Sequence, residues 1–88
     1  MADIKAADYL TKEQCISILN ELNCRYEEDR EKLPGFLCVR VFYANEDGGE
    51  ECTNLSNRDY KTQEVLPEVV AWQRAAEEVI EWHNFDNN

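Results

Sequence analysis

Residues 36–44, Phe-Leu-Cys-Val-Arg-Val-Phe-Tyr-Ala, form an apolar run with β-branched and aromatic residues in both phases of a two-residue alternation. Leu37, Val39, Val41 and Tyr43 fall on one face of a strand, and Phe36, Cys38, Phe42 and Ala44 on the other, where Arg40 interrupts them. A strand with one wet face alternates more cleanly, so the run predicts a central strand covered at least partly on both sides. Leu33-Pro34-Gly35 marks a turn before it. Residues 45–49 read as a hairpin turn, with Asp47-Gly48 or Gly48-Gly49 supplying positive φ. Residues 50–55 return as a polar edge strand, and residues 56–62 read as a loop.

On either side the apolar period changes to that of a helix. Thr11 is placed as an N-cap, and Thr11-Lys12-Glu13-Gln14 fits a capping box. Leu10 and Cys15 are placed for a hydrophobic staple. Cys15, Ile18, Leu19, Leu22 and Tyr26 lie on one stripe at i, i+3, i+4, i+7 and i+11. Ile16 falls off it, either exposed or against a partner. Two ends are open for this helix. Asn23 can take the left-handed cap position, releasing residues 24–29 as an edge strand guarded by charge, or the helix runs on to about Arg30. The early stop is preferred, because the acids of residues 27–31 would oppose the dipole at a helix C-terminus.

Residues 62–66 lead into a last helix, with Pro67 in its first turn. Val69, Trp72, Ala76, Val79, Ile80 and His83 share one side, with Trp82 on its border. Arg74, Glu77, Glu78 and Glu81 lie opposite. The order α, (β), β, β, α in 88 residues predicts one α+β domain over 1–88. It is a two-layer domain whose antiparallel sheet of two to three strands packs with an N-terminal and a C-terminal helix.

Charge narrows the partners. There are 19 acidic and 9 basic residues, a net charge of −10. Nucleic acid and anionic membranes both need a basic footprint, so neither is an expected direct partner. The start, MADIKAADYL, is polar and lacks an apolar core segment, so no secretory signal is expected. Cys15, Cys24, Cys38 and Cys52 show no closely spaced pair of the kind zinc sites use. They are read as reduced thiols in a cytoplasmic protein, with Cys38 a core thiol. His83 is assigned to the C-terminal dipole of the last helix. No metal or cofactor is expected.

Three acidic clusters are the candidate functional features. Glu27, Glu28, Asp29 and Glu31 form one; Glu46, Asp47, Glu50 and Glu51 form another around the hairpin tip; Glu77, Glu78 and Glu81 form the third. Such runs are commonly solvated faces. They also suit docking on rows of lysine and arginine, with fast, salt-sensitive association. The first two clusters are taken as the partner-binding residues. Nothing in the chain places two carboxylates in a cleft for acid–base chemistry, and there is no glycine-rich phosphate loop. Arg40 is read as a packed stem with its head paired to a glutamate. Tyr9, Tyr60, Trp82 and Phe85 do not fit the stripes cleanly and are candidate interface anchors or closures of the core's end.

In its short single domain, its charge of −10, its acid clusters and its lack of a catalytic signature, the chain resembles the small acidic inhibitors that phages use against host defence, the anti-CRISPR and anti-restriction proteins. That resemblance implies stoichiometric binding without catalysis, blocking a nucleic-acid groove or an assembly step. The expected function is therefore a non-enzymatic acidic protein that docks on a basic protein surface, as an inhibitor of a nucleic-acid-handling complex such as a CRISPR effector. The alternative is a small cytosolic adaptor or regulatory subunit using an apolar patch of Ile16, Val70, Trp82 and Phe85.

Overall fold

In the computed structural model, which describes residues 10–30, 35–44 and 47–86, with side chains through residue 84, the chain runs α1 (Lys12–Glu21), β1 (Arg25–Asp29), β2 (Cys38–Ala44), β3 (Glu50–Ser56) and α2 (Val69–Asp86). The three strands form an antiparallel sheet in the order β1-β2-β3. This is the small α+β arrangement that the alternation and the two helical stripes predict.

Local signals set the first helix. Thr11 Oγ1 accepts from Gln14 N at 3.2 Å, and Gln14 Oε1 accepts from Thr11 N at 2.9 Å, which completes the capping box. Asn23 adopts φ 57°, the amide of Cys24 donates to Leu19 O at 2.8 Å, and that of Asn23 to Asn20 O at 3.1 Å. This is the left-handed stop, with Cys24 and Leu19 both buried as its apolar pair. The chain thus leaves the helix early, and Tyr26 sits on edge strand β1 rather than on the helical stripe. There it meets the Trp72 ring edge-on at 5.5 Å.

One layer is the sheet and the other the two helices. Leu37, Val39 and Val41 are wholly buried and meet Cys15 and Leu19 of α1 and Ala71, Trp72, Ala75, Ala76 and Val79 of α2 in one cluster. The alanines let α2 approach the sheet closely. Helix α2 packs on β2 and β3, while α1 packs on α2 and reaches β1. At the far end Trp82 lies 4.8 Å from Tyr43.

Several expectations change in the folded chain. Ile16 packs against the core although it lies off the stripe. The second face of β2 is covered by no helix. Phe36, Cys38 and Phe42 are half-buried, and Cys38 is no core thiol. Their partial cover comes from arginines: Arg25 lies over Phe42 at 3.9 Å and Arg58 over Phe36 at 4.9 Å. His83 is exposed in the last turn of α2, not on its buried side. Ser56 ends β3 instead of opening a loop. At the hairpin Gly48 carries the positive φ, 84°, and Gly49 does not. The turn expected at Leu33-Pro34 lies outside the described residues, whereas Gly35 does adopt φ 77°.

Asn57 holds the loop side of the core together. It is wholly buried. Its Oδ1 accepts from Leu37 N at 2.9 Å, and its Nδ2 donates to Gly35 O at 2.8 Å and Leu66 O at 2.7 Å. One amide thereby satisfies three backbone groups that no strand ladder reaches.

Candidate functional site

The acids assigned to partner binding separate into different environments. Partners across an antiparallel ladder share a face, so Arg25, Phe42 and Cys52 form one row of the open face and Glu27, Arg40 and Asn54 the next. On this face Glu27 pairs with Arg40 at 3.5 Å and Arg25 at 3.7 Å, and Arg25 donates to Glu50 at 2.9 Å. Arg40 also donates to Asn54 Oδ1 at 2.9 Å, and its pairing with Glu27 matches the paired-head reading of that residue. Glu28 lies 3.7 Å from Arg30, whose guanidinium forks onto both oxygens of Glu68 at 2.8 and 2.9 Å. That pair holds the Glu68 carboxyl below the usual range and ties the end of β1 to the start of α2.

Glu27, Glu28 and Glu50 are therefore partly neutralised within the chain. Asp29, Asp47 and Glu51 have no basic partner among the described residues. Glu31 and Glu46 lie outside the described residues. Register also divides the hairpin acids, since Glu50 pairs with Ala44 and Glu51 with Tyr43, on opposite faces of the sheet.

The third cluster lies in a concave site. A groove of about 420 Å³ runs between α2 and the loop after β3. Leu55 and Val70 line its apolar part, Tyr60 stands beside it, and Glu77, Glu78 and Glu81 supply carboxylates. Glu78 and Glu81 have no basic partner among the described residues. Tyr60 is 67% exposed, the most exposed large apolar side chain among the described residues.

Tyr60 is held by its surroundings. Asp59 Oδ1 accepts from Lys61 N at 2.8 Å and Thr62 N at 3.0 Å, a turn that holds the Asp59 carboxyl below its usual range. Gln63 at φ 66° and the bridge between Arg58 and Val65 close the loop. Arg74, which the periodicity assigned to the wet side of α2, is half-buried and reaches across. One of its guanidinium nitrogens donates to Ser56 O and Arg58 O, both at 2.7 Å, and the group stacks on Tyr60 at 4.3 Å.

The apolar patch of the adaptor reading is not assembled in the same way. Ile16 and Trp82 pack on the core, Val70 joins the groove, and the Phe85 side chain and Tyr9 lie outside the described residues. All four cysteines are free, and among the described residues no group of His, Cys, Asp and Glu is placed to hold a metal. No helix among the described residues is long and apolar enough to cross a membrane. The chain matches no protein-family model, no curated protein and no solved structure.

Proposed function

We propose that the protein works by binding, without catalysis, and that its carboxylate-rich surface docks on a basic surface of a protein partner. The observation that carries this reading is the fate of the arginines. Arg25, Arg30 and Arg40 are engaged by intramolecular carboxylates, Arg74 by backbone carbonyls, and Arg58 lies over Phe36. These arginines are held inside the chain's own contacts, while Asp29, Asp47, Glu51, Glu78 and Glu81 have no basic partner among the described residues. The field of a chain at −10 is therefore left to act outward. Such a field repels nucleic acid and attracts the proteins that bind it. The partner class that fits is a nucleic-acid-handling complex, with a CRISPR effector as the example and inhibition by occupying its basic groove as the outcome.

The test is capture of partners on the immobilised protein at low and at high salt, followed by addition of the protein to the captured complex loaded with nucleic acid. Binding lost at high salt and release of the nucleic acid are expected, since exposed ion pairs are screened. Binding unchanged by salt, with nucleic acid retained, would sink the charge-based reading and favour an apolar contact.

A further inference from the structure

We infer that the groove between α2 and the Tyr60 loop is the docking point, and that it takes a basic amphipathic segment of the protein partner, with lysine or arginine side chains around an apolar one. This rests on the proposed function and says where on the surface it operates. The groove's volume, about 420 Å³, lies within the roughly 300–1,000 Å³ typical of ligand clefts. Its charge and its floor ask for different things of the same occupant.

The charge asks for a cation. Glu81 lies three residues after Glu78 and four after Glu77, spacings at which like charges face each other on a helix and weaken it. No acid sits in the first turn of α2, where the helix dipole would favour one. The one arginine in the lining is committed elsewhere, with its guanidinium on two backbone carbonyls and the Tyr60 ring. A cation from outside meets Glu78 and Glu81, which have no basic partner among the described residues.

The floor asks for an apolar group. Leu55 and Val70 line the groove, and Tyr60 is exposed yet fixed in place by the Asp59 turn and the Arg74 stack. A rigid, exposed tyrosine contributes contact area at little entropic cost, and tyrosine is enriched among interface anchors. A free amine or metal cation would use the carboxylates and leave this half bare. A second copy of the chain would bring its own charge of −10. A segment with both kinds of side chain uses the whole site.

The experiment is a titration of the ¹⁵N-labelled full chain, at low salt, with a synthetic lysine-rich peptide carrying two central leucines. Controls are the same peptide with serine for leucine, and the variants Tyr60→Ala and Glu78→Lys/Glu81→Lys. Amide dispersion of each variant shows that it still folds. Shifts are expected at Tyr60, Val70, Glu78 and Glu81. Affinity should fall on the order of tenfold for Tyr60→Ala and for the serine peptide, and more for the double charge reversal. Shifts centred instead on Glu27, Asp29, Glu50 and Glu51 would overturn the groove and leave the acidic-binding reading standing. Equal affinity for the serine peptide would overturn the apolar anchor. Absence of shifts anywhere would count against both readings.

Discussion

Asn57 shows how much one side chain can decide. Its wholly buried carboxamide matches one backbone donor and two backbone acceptors at the loop side of the core. Asn57→Ala leaves all three unmade, and the expected loss is on the order of 2–4 kcal/mol in urea unfolding. Asn57→Asp loses both donations and sets a carboxylate beside two carbonyls, so it should be at least as damaging. Cys15 makes a second residue-scale case. Burial pushes its thiol from 9.0 up to about 11, and burial also raises Cys24. A folded pKa above the unfolded one means that the thiol's contribution is intact below about pH 9 and is lost as pH rises toward 11. Cys15→Ala should therefore flatten the alkaline loss of stability across that window. With a thiol reagent in the native state, exposed Cys52 should react first and Cys15 and Cys24 last. Equal rates would mean that α1 does not stay packed.

At the scale of elements, β2 is the scaffold. Val39 and Val41 are wholly buried between the sheet and the helices, so Val39→Asp places an unpaired charge in the core and should abolish cooperative unfolding by circular dichroism. Charge reversal at Asp47, Glu50 and Glu51 should leave the melting curve near that of the parent chain, because those positions are exposed. The ion pairs on the open face are also exposed, and pairs of that kind contribute about 0–1 kcal/mol each. Arg74 behaves differently from the other charges of α2. It bridges the helix to the carbonyls of Ser56 at the end of β3 and Arg58 in the loop that follows. Arg74→Gln should cost about 1–3 kcal/mol and raise hydrogen exchange through residues 58–65. Unchanged exchange there would show that the loop holds Tyr60 without it. These elements also mark what was legible. The capping box, the Asn23 stop, the Gly48 turn and the α2 stripe are short-range devices, and their partners lie within a few residues. Arg74, Ile16 and Asn57 were misread or passed over because their partners are distant in sequence or reside in backbone groups that carry no residue signature.

For the molecule as a whole, charge sets the response to conditions. The extents of 37 × 28 × 25 Å exceed the screening length of about 10 Å at 0.1 M salt, so repulsion acts chiefly among acids that share a face. Mutual repulsion at a net charge of −10 should outweigh the exposed ion pairs, so the melting temperature at pH 7 should rise between low salt and about 0.5 M salt. A fall would mean that the ion pairs dominate. Acid acts through individual groups as well. The Glu68 and Asp59 carboxyls are held below their ordinary values, the first chiefly by Arg30 and the second chiefly by the Thr62 and Lys61 amides. A depressed folded pKa contributes stability above the unfolded pKa and loses it as pH falls through the folded one. Glu68→Gln should therefore shrink the drop in stability on acidification below the ordinary carboxylate range.

The amino-acid order by itself determined the two helices, the central strand with its returning partner, their sequence along the chain and the burial of Val39 and Val41, and it favoured the early end of α1 over a helix running on to about Arg30. Each of these follows from periodicity or from turn and cap chemistry, which act over a few residues. It also determined the net charge of −10. Only the tertiary structure decided which acids are available. Folding brought Arg40 onto Glu27, Arg25 onto Glu50, Arg30 onto Glu68, and Arg74 onto the Ser56 and Arg58 carbonyls, contacts across 13 to 38 positions that no local pattern encodes. The same packing set Glu77, Glu78, Glu81 and Tyr60 around one groove. The physical reason is that an ion pair or a concave surface depends on distance in space, whereas periodicity reports only which face of its own element a residue occupies.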